Sequence, residues 1–151
     1  MNKLVVQKYG GTSVGSIERI KKVAERITRM RKTGLDIVVV VSAMAGETDK
    51  LLDMARQISP NAKRREVDLL LSSGERISSA LLSIALDNIG CPSISMTGRQ
   101  IGLLTDDSHT RARIKEIDTE RARRVLKKKH VIVVAGFQGV NEHGDVTTLG
   151  R

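Results

Sequence analysis

The sequence predicts an α/β protein, a layered α/β/α fold with a mostly parallel central sheet. Two runs of β-branched residues, Ile37–Val41 and Val131–Ala135, are apolar throughout, as is typical of strands buried on both faces. Segments with apolar residues at helical spacing lie between the predicted strands. Strands that alternate with helices indicate a parallel sheet covered by helices, in which ligands bind beyond the carboxyl ends of the strands.

The first predicted unit is a strand, a glycine turn and a helix. Leu4–Val6 is a short apolar strand, which Gly10 and Gly11 end. Apolar residues then recur at helical spacing over residues 17–30, with charged residues between them, and this pattern predicts an amphipathic helix. Gly34 lies where that helix is expected to stop.

Two further helices are predicted after the strand that ends at Val41. The turn "SAMAGET", residues 42–48, leads to a helix over Leu51–Ile58, which Pro60 ends. A longer helical segment closes at Gly90. The apolar residues that we expect on one face of this long helix are Ile77, Ala80, Leu81, Ile84, Ala85 and Leu86.

The remainder of the chain contains weaker patterns. "CPSISM", residues 91–96, fits a strand, whereas residues 97–114 are polar with isolated glycines and predict an irregular loop over a site. Asp118 or Thr119 is placed to cap a helix that runs to Lys129. Three of the four best strands end in a turn of small or polar residues, and we expect the chemistry at those ends.

The net charge of +9 raises the question of nucleic-acid binding. Most of the basic residues lie on the polar faces of predicted helices, mixed with Glu18, Glu25 and Glu120. The chain has one tyrosine, one phenylalanine and no tryptophan, so it lacks the aromatic platforms on which single-stranded nucleic acids stack. We therefore expect solvated helix faces, an aliphatic core and no nucleic-acid partner.

Cys91 is the only cysteine of this sequence, which excludes a disulfide within it and a cysteine-based metal site. The three histidines are scattered, without the spacing of a zinc site. The sequence begins without a signal-peptide pattern, and its apolar runs are too short to span a bilayer. We expect a cytoplasmic protein without a membrane partner.

The most informative motif is "KYGGTS", from Lys8 to Ser13. Glycines without a Cβ atom let backbone N–H groups approach an anion, and the N-terminus of the following helix favours negative charge. Lys8 adds a mobile positive charge. The motif is not a Walker A loop, because Ser16 and Ile17 replace the required Lys-Ser/Thr pair, and it is not a dinucleotide fingerprint. It indicates a phosphate site, with a plain strand-to-helix turn as the alternative.

The turn at residues 42–48 places small residues after a buried strand and so leaves room for a ligand. The hydroxyl groups of Ser42 and Thr48 are suited to bonding phosphate or carboxylate oxygens. For Thr48, a role as the N-cap of the following helix is an equally good interpretation.

Two charged residues lie in the last two motifs, "SSGER" and "TTLGR". We predict Glu75 at the start of an apolar helix, where the helix dipole alone explains a carboxylate; the alternative is that it binds an ammonium group. Arg151 is either a solvated end or a bidentate clamp for a substrate carboxylate.

Together these motifs resemble the amino-acid kinase family and, within it, the aspartokinases. The resemblance covers essentially the whole chain, with the segments in the same order and at the same spacing. They are "VVQKYGGTSVGSIERI", "VVVVSAMAGETDKLL", "LLSSGERISSALL", "TGRQIGLLTDD" and "VAGFQGVNEHGDVTTLGR". The combination of "KYGGTS", "SGER" and "VTTLGR" is specific, whereas each of them alone is not.

The resemblance implies that ATP, with Mg²⁺ present, phosphorylates the side-chain carboxylate of L-aspartate to give 4-phospho-L-aspartate, which opens lysine, threonine and methionine biosynthesis. It implies that Lys8 is catalytic and contacts the transferring phosphate. The residues that it assigns to ATP or its phosphates are Lys8, Tyr9, Gly10, Gly11 and Ser42. It assigns Thr48, Glu75 and Arg151 to aspartate. Glu75 would bind the amino group, and Arg151 would bind a carboxylate. It assigns no metal ligand to this chain.

In the family, the pattern continues beyond "TTLGR" into a nucleotide-binding half, and ACT regulatory domains usually follow. We therefore expect residues 1–151 to be the N-terminal, amino-acid-binding lobe of an amino-acid kinase domain, and to be inactive alone. Because such a lobe has an open sheet edge, we also expect it to form a homo-oligomer. Two alternatives stay open. One is another amino-acid kinase, acting on glutamate, acetylglutamate or a nucleoside monophosphate; the other is a non-catalytic module that binds an amino acid or an anion.

Overall fold

Two four-stranded sheets and five helices organise the computed structural model, which describes residues 3–150. The strands and helices of this part of the chain are, in order, β1 (Leu4–Tyr9), α1 (Ile17–Lys32), β2 (Asp36–Val41), α2 (Glu47–Ile58), α3 (Arg64–Asn88), β3 (Ser93–Met96), α4 (Gly98–Ile101), β4 (Leu103–Thr105), β5 (Ile114–Ile117), α5 (Glu120–Lys127), β6 (Val131–Ala135), β7 (Gln138–Val140) and β8 (Val146–Thr148).

The main sheet is entirely parallel and has the order β1-β2-β6-β3. Its two central strands are the two apolar runs that the sequence predicts as buried. β6 is buried along its whole length, whereas β2 alternates buried residues with half-buried ones, because Val38 and Val40 face the less covered side of the sheet. The carboxyl ends of β1, β2 and β6 lie side by side, with Lys8 opposite Val40 and Val41 opposite Ala135.

Helices cover both faces of the main sheet and confirm the α/β/α layering. On one face, α1 and α3 pack against the strands in an aliphatic core that contains Ile20, Ile27, Val39, Leu82 and Val133. On the other face, α5 and the short α4 cover a smaller cluster around Met96, Ile132 and Val134. The large apolar area removed from water in these two layers is the main stabilising term of the fold.

The α1 and α5 boundaries follow from local chemistry. Ser16 caps α1, its hydroxyl accepting from the backbone N–H of Arg19 at 3.3 Å. α1 ends at Lys32, and Gly34, with a φ of +89°, follows two residues later, close to the stop that the sequence predicts. Thr119 is the N-cap residue of α5 but its side chain makes no capping bond, and Asp118 instead accepts from the N–H of Glu120 at 2.9 Å.

The prediction of an irregular loop over residues 97–114 is right for residues 106–113 and wrong for residues 98–105. This segment forms α4, β4 and the start of β5, and with β7 and β8 it makes the second sheet, of order β5-β4-β7-β8. A capping box between Thr97 and Gln100 begins α4. The strands of three or four residues are too short to show a periodicity, and β4 pairs with β7, which lies far along the chain.

The predicted apolar face of α3 is only partly right. Ile77 and Ile84 are 48% and 64% exposed, whereas Leu86 is buried as predicted, beside Leu82 and several serines. A serine tolerates burial here because its hydroxyl donates to a carbonyl of its own helix, as Ser78 does to Gly74 O at 3.2 Å. Side-chain hydrophobicity therefore does not indicate which side of this helix faces the sheet.

By length and composition alone, α3 is apolar enough to cross a membrane. Half of its most apolar stretch is buried within the protein, however, and its buried face carries Asp68 and Glu75. Charged side chains on the packed face are typical of a helix whose polar groups find partners inside a folded domain.

A fully buried carboxylate, that of Asp68, ties α3 to the second sheet. It accepts a hydrogen bond from the N–H of Thr110, at 3.1 Å to Oδ1 and 3.0 Å to Oδ2, and one from the hydroxyl of Thr148 in β8. Its Oδ2 also lies 2.7 Å from Nδ1 of His109. These contacts replace the water that the carboxylate loses on burial, and they join three separate segments of the chain.

Three glycines allow backbones to approach closely at the strand ends. A Cβ atom on Gly11 would lie 2.8 Å from the carbonyl oxygen of Ala43, and one on Gly74 would lie 2.8 Å from the Cβ of Ala43. A Cβ atom on Gly136 would lie 2.8 Å from the carbonyl oxygen of Val41. Gly10 differs, because a Cβ atom there would meet nothing within 4 Å.

We expect Gly11→Ala to lower the free energy of unfolding by about 1–3 kcal/mol, because the new methyl group would overlap a fixed backbone carbonyl. Gly10→Ala is the matched control and should leave stability unchanged or raise it by up to about 1 kcal/mol. Urea denaturation followed by circular dichroism measures both. Equal losses for the two variants would show that the clash at Gly11 is not what requires a glycine.

We expect Asp68→Ala to lower the free energy of unfolding by about 3–5 kcal/mol, because it leaves buried donors without an acceptor. Asp68→Asn keeps the shape and part of the bonding, and should lose about 1–3 kcal/mol. The control is Asp53→Asn, whose exposed ion pair with Arg56 contributes little. Urea denaturation measures all three variants. If Asp68→Ala lowers the free energy of unfolding no more than the control does, the Asp68 carboxylate does not hold α3 to the second sheet.

Candidate active site

A cavity of about 700 Å³ opens at the carboxyl ends of β1, β2 and β6. Its position is the one at which parallel α/β sheets bind ligands. The residues that line it are Lys8, Gly11, Val40, Val41, Ser42, Ala43, Met44, Ala45, Gly46, Thr48, Asp49, Glu75, Gly136, Phe137, Leu149 and Gly150. Five separate segments of the chain therefore contribute to one cavity wall.

Five of the residues that the sequence singles out meet in this cavity. They are Lys8, Gly11, Ser42, Thr48 and Glu75. Tyr9 and Gly10 do not line it. Because side chains alternate along a strand, Tyr9 points to the opposite face from Lys8 and packs beside the α1 core. Arg151 lies outside the described residues.

The turns after β1 and β2 are joined by backbone hydrogen bonds. The N–H of Ser42 donates to Tyr9 O at 3.1 Å, and the N–H of Ala45 donates to Gly11 O at 3.2 Å. The turns therefore hold a fixed relation to each other beneath the exposed Lys8 side chain. A loop fixed in this way loses little entropy when it binds a ligand.

The N-cap interpretation of Thr48 is wrong. Gly46, with a φ of +80°, is the N-cap residue of α2, and the helix begins at Glu47. Thr48 lies in the first turn of α2 and lines the cavity. Its hydroxyl is therefore part of a cavity wall rather than a helix cap.

The helix-dipole explanation of Glu75 is wrong as well. α3 begins at Arg64, so Glu75 lies in the middle of the helix, where the dipole gives a carboxylate no advantage. The side chain is 5% exposed and lines the cavity. A carboxylate in the wall of a cavity is placed to meet a cationic group of a ligand, which is the second interpretation.

Asp49, Phe137, Leu149 and Gly150 also line the cavity, and the sequence does not single them out individually. Phe137 has a φ of +61°, a left-handed conformation that is rare for a residue with a side chain. Its carbonyl accepts from the N–H of Leu149 at 3.0 Å, which connects the turn after β6 to the segment after β8. The motif "GFQG" gives the location of Phe137, but nothing in the sequence indicates its backbone conformation.

Charges of both signs surround the cavity. Lys8 contributes a cation, and Asp49 and Glu75 contribute carboxylates. The part of the chain that the structure describes contains no group of three or more His, Cys, Asp or Glu residues that could hold a metal ion. The arrangement suits a ligand, or a pair of ligands, that carries both anionic and ammonium groups.

Comparison with known proteins agrees with this geometry. The model of the amino acid kinase family matches residues 3–151. The aspartate kinase of Pseudomonas putida is 55% identical over 148 residues, which are 98% of this chain and 36% of that protein. The chain therefore spans little more than a third of the curated relatives that it matches.

Solved structures give the same result for the fold. The crystal structure of aspartate kinase from Synechocystis superposes with a TM-score of 0.85 at 51% identity, over 98% of this chain and 24% of that one. E. coli aspartokinase III in complex with aspartate and ADP superposes with a TM-score of 0.82 at 24% identity, over 99% and 44% of the two chains. With its parallel sheet, its glycine turn and the family model matched from residue 3 to residue 151, the chain belongs to the amino acid kinase family.

Proposed function

We propose that this chain is the N-terminal, amino-acid-binding lobe of an aspartate kinase. The reaction is transfer of the γ-phosphoryl group of ATP to the side-chain carboxylate of L-aspartate, which gives 4-phospho-L-aspartate and ADP. One observation carries the proposal: Lys8, Gly11 and Ser42 share a single cavity with Thr48 and Glu75. The 55% identity to an aspartate kinase supports aspartate as the acceptor.

The proposed reaction fits the polar groups of the cavity. A carboxylate is already ionised at neutral pH, so an oxygen of the acceptor attacks phosphorus without a general base. Phosphoryl transfer then depends on positioning and on neutralising the charge of the phosphate oxygens. We assign the second task to Lys8, aided by the backbone at Gly10 and Gly11 and by the Ser42 hydroxyl.

The acceptor is held by its two other charged groups in this proposal. Glu75 binds the ammonium group, and Thr48 and Arg151 bind carboxylate oxygens. Such a division of roles selects a small amino diacid, because a ligand that lacks either group loses the contact made by that group.

ATP and Mg²⁺ belong to the proposed function of the whole protein. Magnesium usually binds one or two carboxylates together with substrate phosphates. The described residues supply no cluster of metal ligands, so we assign none of them to Mg²⁺. The setting that we propose is the cytoplasm, in the first step of the biosynthesis of lysine, threonine and methionine.

We also propose that the chain self-associates through β1. This strand is an edge of the main sheet, and its Leu4 and Val6 side chains are 51% and 64% exposed. An apolar edge strand is a template for pairing with another strand.

Light scattering should show a mass above that of a 16.5 kDa monomer, and Val6→Lys should lower it, because a charge on an edge opposes pairing. Ile58→Lys is the control, since Ile58 is also exposed, at 88%, but lies at the end of α2 and not on the edge strand. A monomer, or an equal effect of both substitutions, would refute pairing through β1.

We expect Glu75→Gln to weaken L-aspartate binding by about tenfold or more in calorimetry, because the ammonium group loses its counter-charge. N-acetyl-L-aspartate lacks that ammonium group, so it should bind wild type weakly and be insensitive to the substitution. Glu66→Gln, on the exposed part of the same helix, is the control. An equal effect of Glu75→Gln on both ligands would show that Glu75 does not contact the amino group.

Two further arms separate the alternatives. Tighter binding of L-glutamate or acetylglutamate than of L-aspartate would identify another amino-acid kinase.

Phosphoryl transfer is tested by joining this chain to the nucleotide-binding half of a relative and measuring ADP release with L-aspartate and ATP. There Lys8→Ala should lower turnover by about 10²-fold, and Lys3→Ala should not. Aspartate binding without transfer would favour a non-catalytic module.

A further inference from the structure

A second cavity, of about 390 Å³, lies beside the same glycine turn. The residues that line it are Tyr9, Thr12, Ser13, Arg19, Lys22, Val23 and Arg26. None of them lines the cavity that contains Lys8. The two hydroxyl residues of the motif "KYGGTS" thus face this second cavity, and the proposed function does not use them.

The second cavity is strongly basic. Arg19, Lys22 and Arg26 project from successive turns of α1, and no carboxylate lines the cavity. Within residues 3–150, neither Lys22 nor Arg26 forms an ion pair. The acidic residues of α1, Glu18 and Glu25, are exposed and lie outside the lining. The concave surface therefore carries positive charge that the described part of the chain does not neutralise.

Several contacts fix the cavity walls before any ligand arrives. A guanidinium N–H of Arg19 donates to the carbonyl oxygen of Thr12, which ties α1 to the turn. The Tyr9 hydroxyl donates to Oε1 of Gln7 at 3.2 Å. Burial raises the pKa of the Tyr9 phenol, and the positive charge of Arg26 opposes that rise.

We propose that this cavity binds a phosphate-type oxyanion, either free phosphate or the phosphate group of a small ester. Guanidinium and ammonium groups form charge-assisted hydrogen bonds with phosphate oxygens, and the hydroxyls of Thr12 and Ser13 supply further donors. Three cations and two hydroxyls border one shallow, open depression of the surface, so a single oxyanion seated there can contact several of them at once.

The chain carries its own reporter for this site. Tyr9 is the only tyrosine and the sequence has no tryptophan, so tyrosine fluorescence comes from this cavity alone. Inorganic phosphate, titrated at ionic strength held constant with sodium chloride, should change that fluorescence in a saturable way. A small monoester, glycerol 3-phosphate, is titrated in parallel, and the tighter of the two identifies the source of the phosphate group.

The double variant Lys22→Gln/Arg26→Gln should weaken phosphate binding by about tenfold or more, because it removes two charge-assisted contacts. The matched control is Lys21→Gln/Arg29→Gln, which removes the same charge from the same helix at positions outside the lining. Far-ultraviolet circular dichroism verifies that both variants keep α1. The control should bind phosphate as wild type does.

Three results would overturn the proposal. The first is a linear rather than saturable response to phosphate. The second is an equal loss of binding in the control variant, which would indicate general attraction to a chain of charge +9. The third is loss of the response in Lys8→Ala, which would place the phosphate in the other cavity. The proposal is independent of the proposed function. Calorimetry with L-aspartate should give the wild-type affinity in both double variants, so the failure of either proposal leaves the other testable.

Discussion

The close approach of backbones around Ala43 is the constraint on which the candidate active site depends. Gly11 and Gly74 both lie where an added Cβ atom would overlap Ala43, and Gly136 has the same relation to Val41. These contacts hold the turns after β1, β2 and β6 together and pack the turn after β2 against α3. Side chains such as Lys8 and Glu75, which are far apart in sequence, reach one cavity because the backbones between them can touch.

Polar groups buried with full hydrogen bonding complete this arrangement. The Asp68 carboxylate joins α3 to the strand that ends next to Leu149, and the side chain of Gln138 donates to the carbonyl oxygen of Ser72 at 3.0 Å. Both contacts connect the helix that carries Glu75 to the second sheet. Burial of polar groups is unfavourable unless every partner is in place, so these bonds specify one packing rather than several.

The sequence predicts the fold and much of the site where the determinants are local. Uniform apolar runs identify β2 and β6, and small residues at strand ends identify the edge of the sheet where the cavity opens. The errors occur where long-range packing decides. Ile77 is exposed while serines of the same helix are buried, and β4 needs a partner from β7. Glu75 lies mid-helix because α3 already begins at Arg64.

The segment from Gly10 to Ser13 separates two ligand-sized spaces, since Gly11 faces one of them and Thr12 and Ser13 face the other. A molecule seated on one side that shifts this partition changes the free energy of occupancy on the opposite side. Thermodynamic linkage makes that influence mutual and equal in both directions. Any coupling between occupants of these two neighbouring spaces would therefore have to pass through a wall of only four residues.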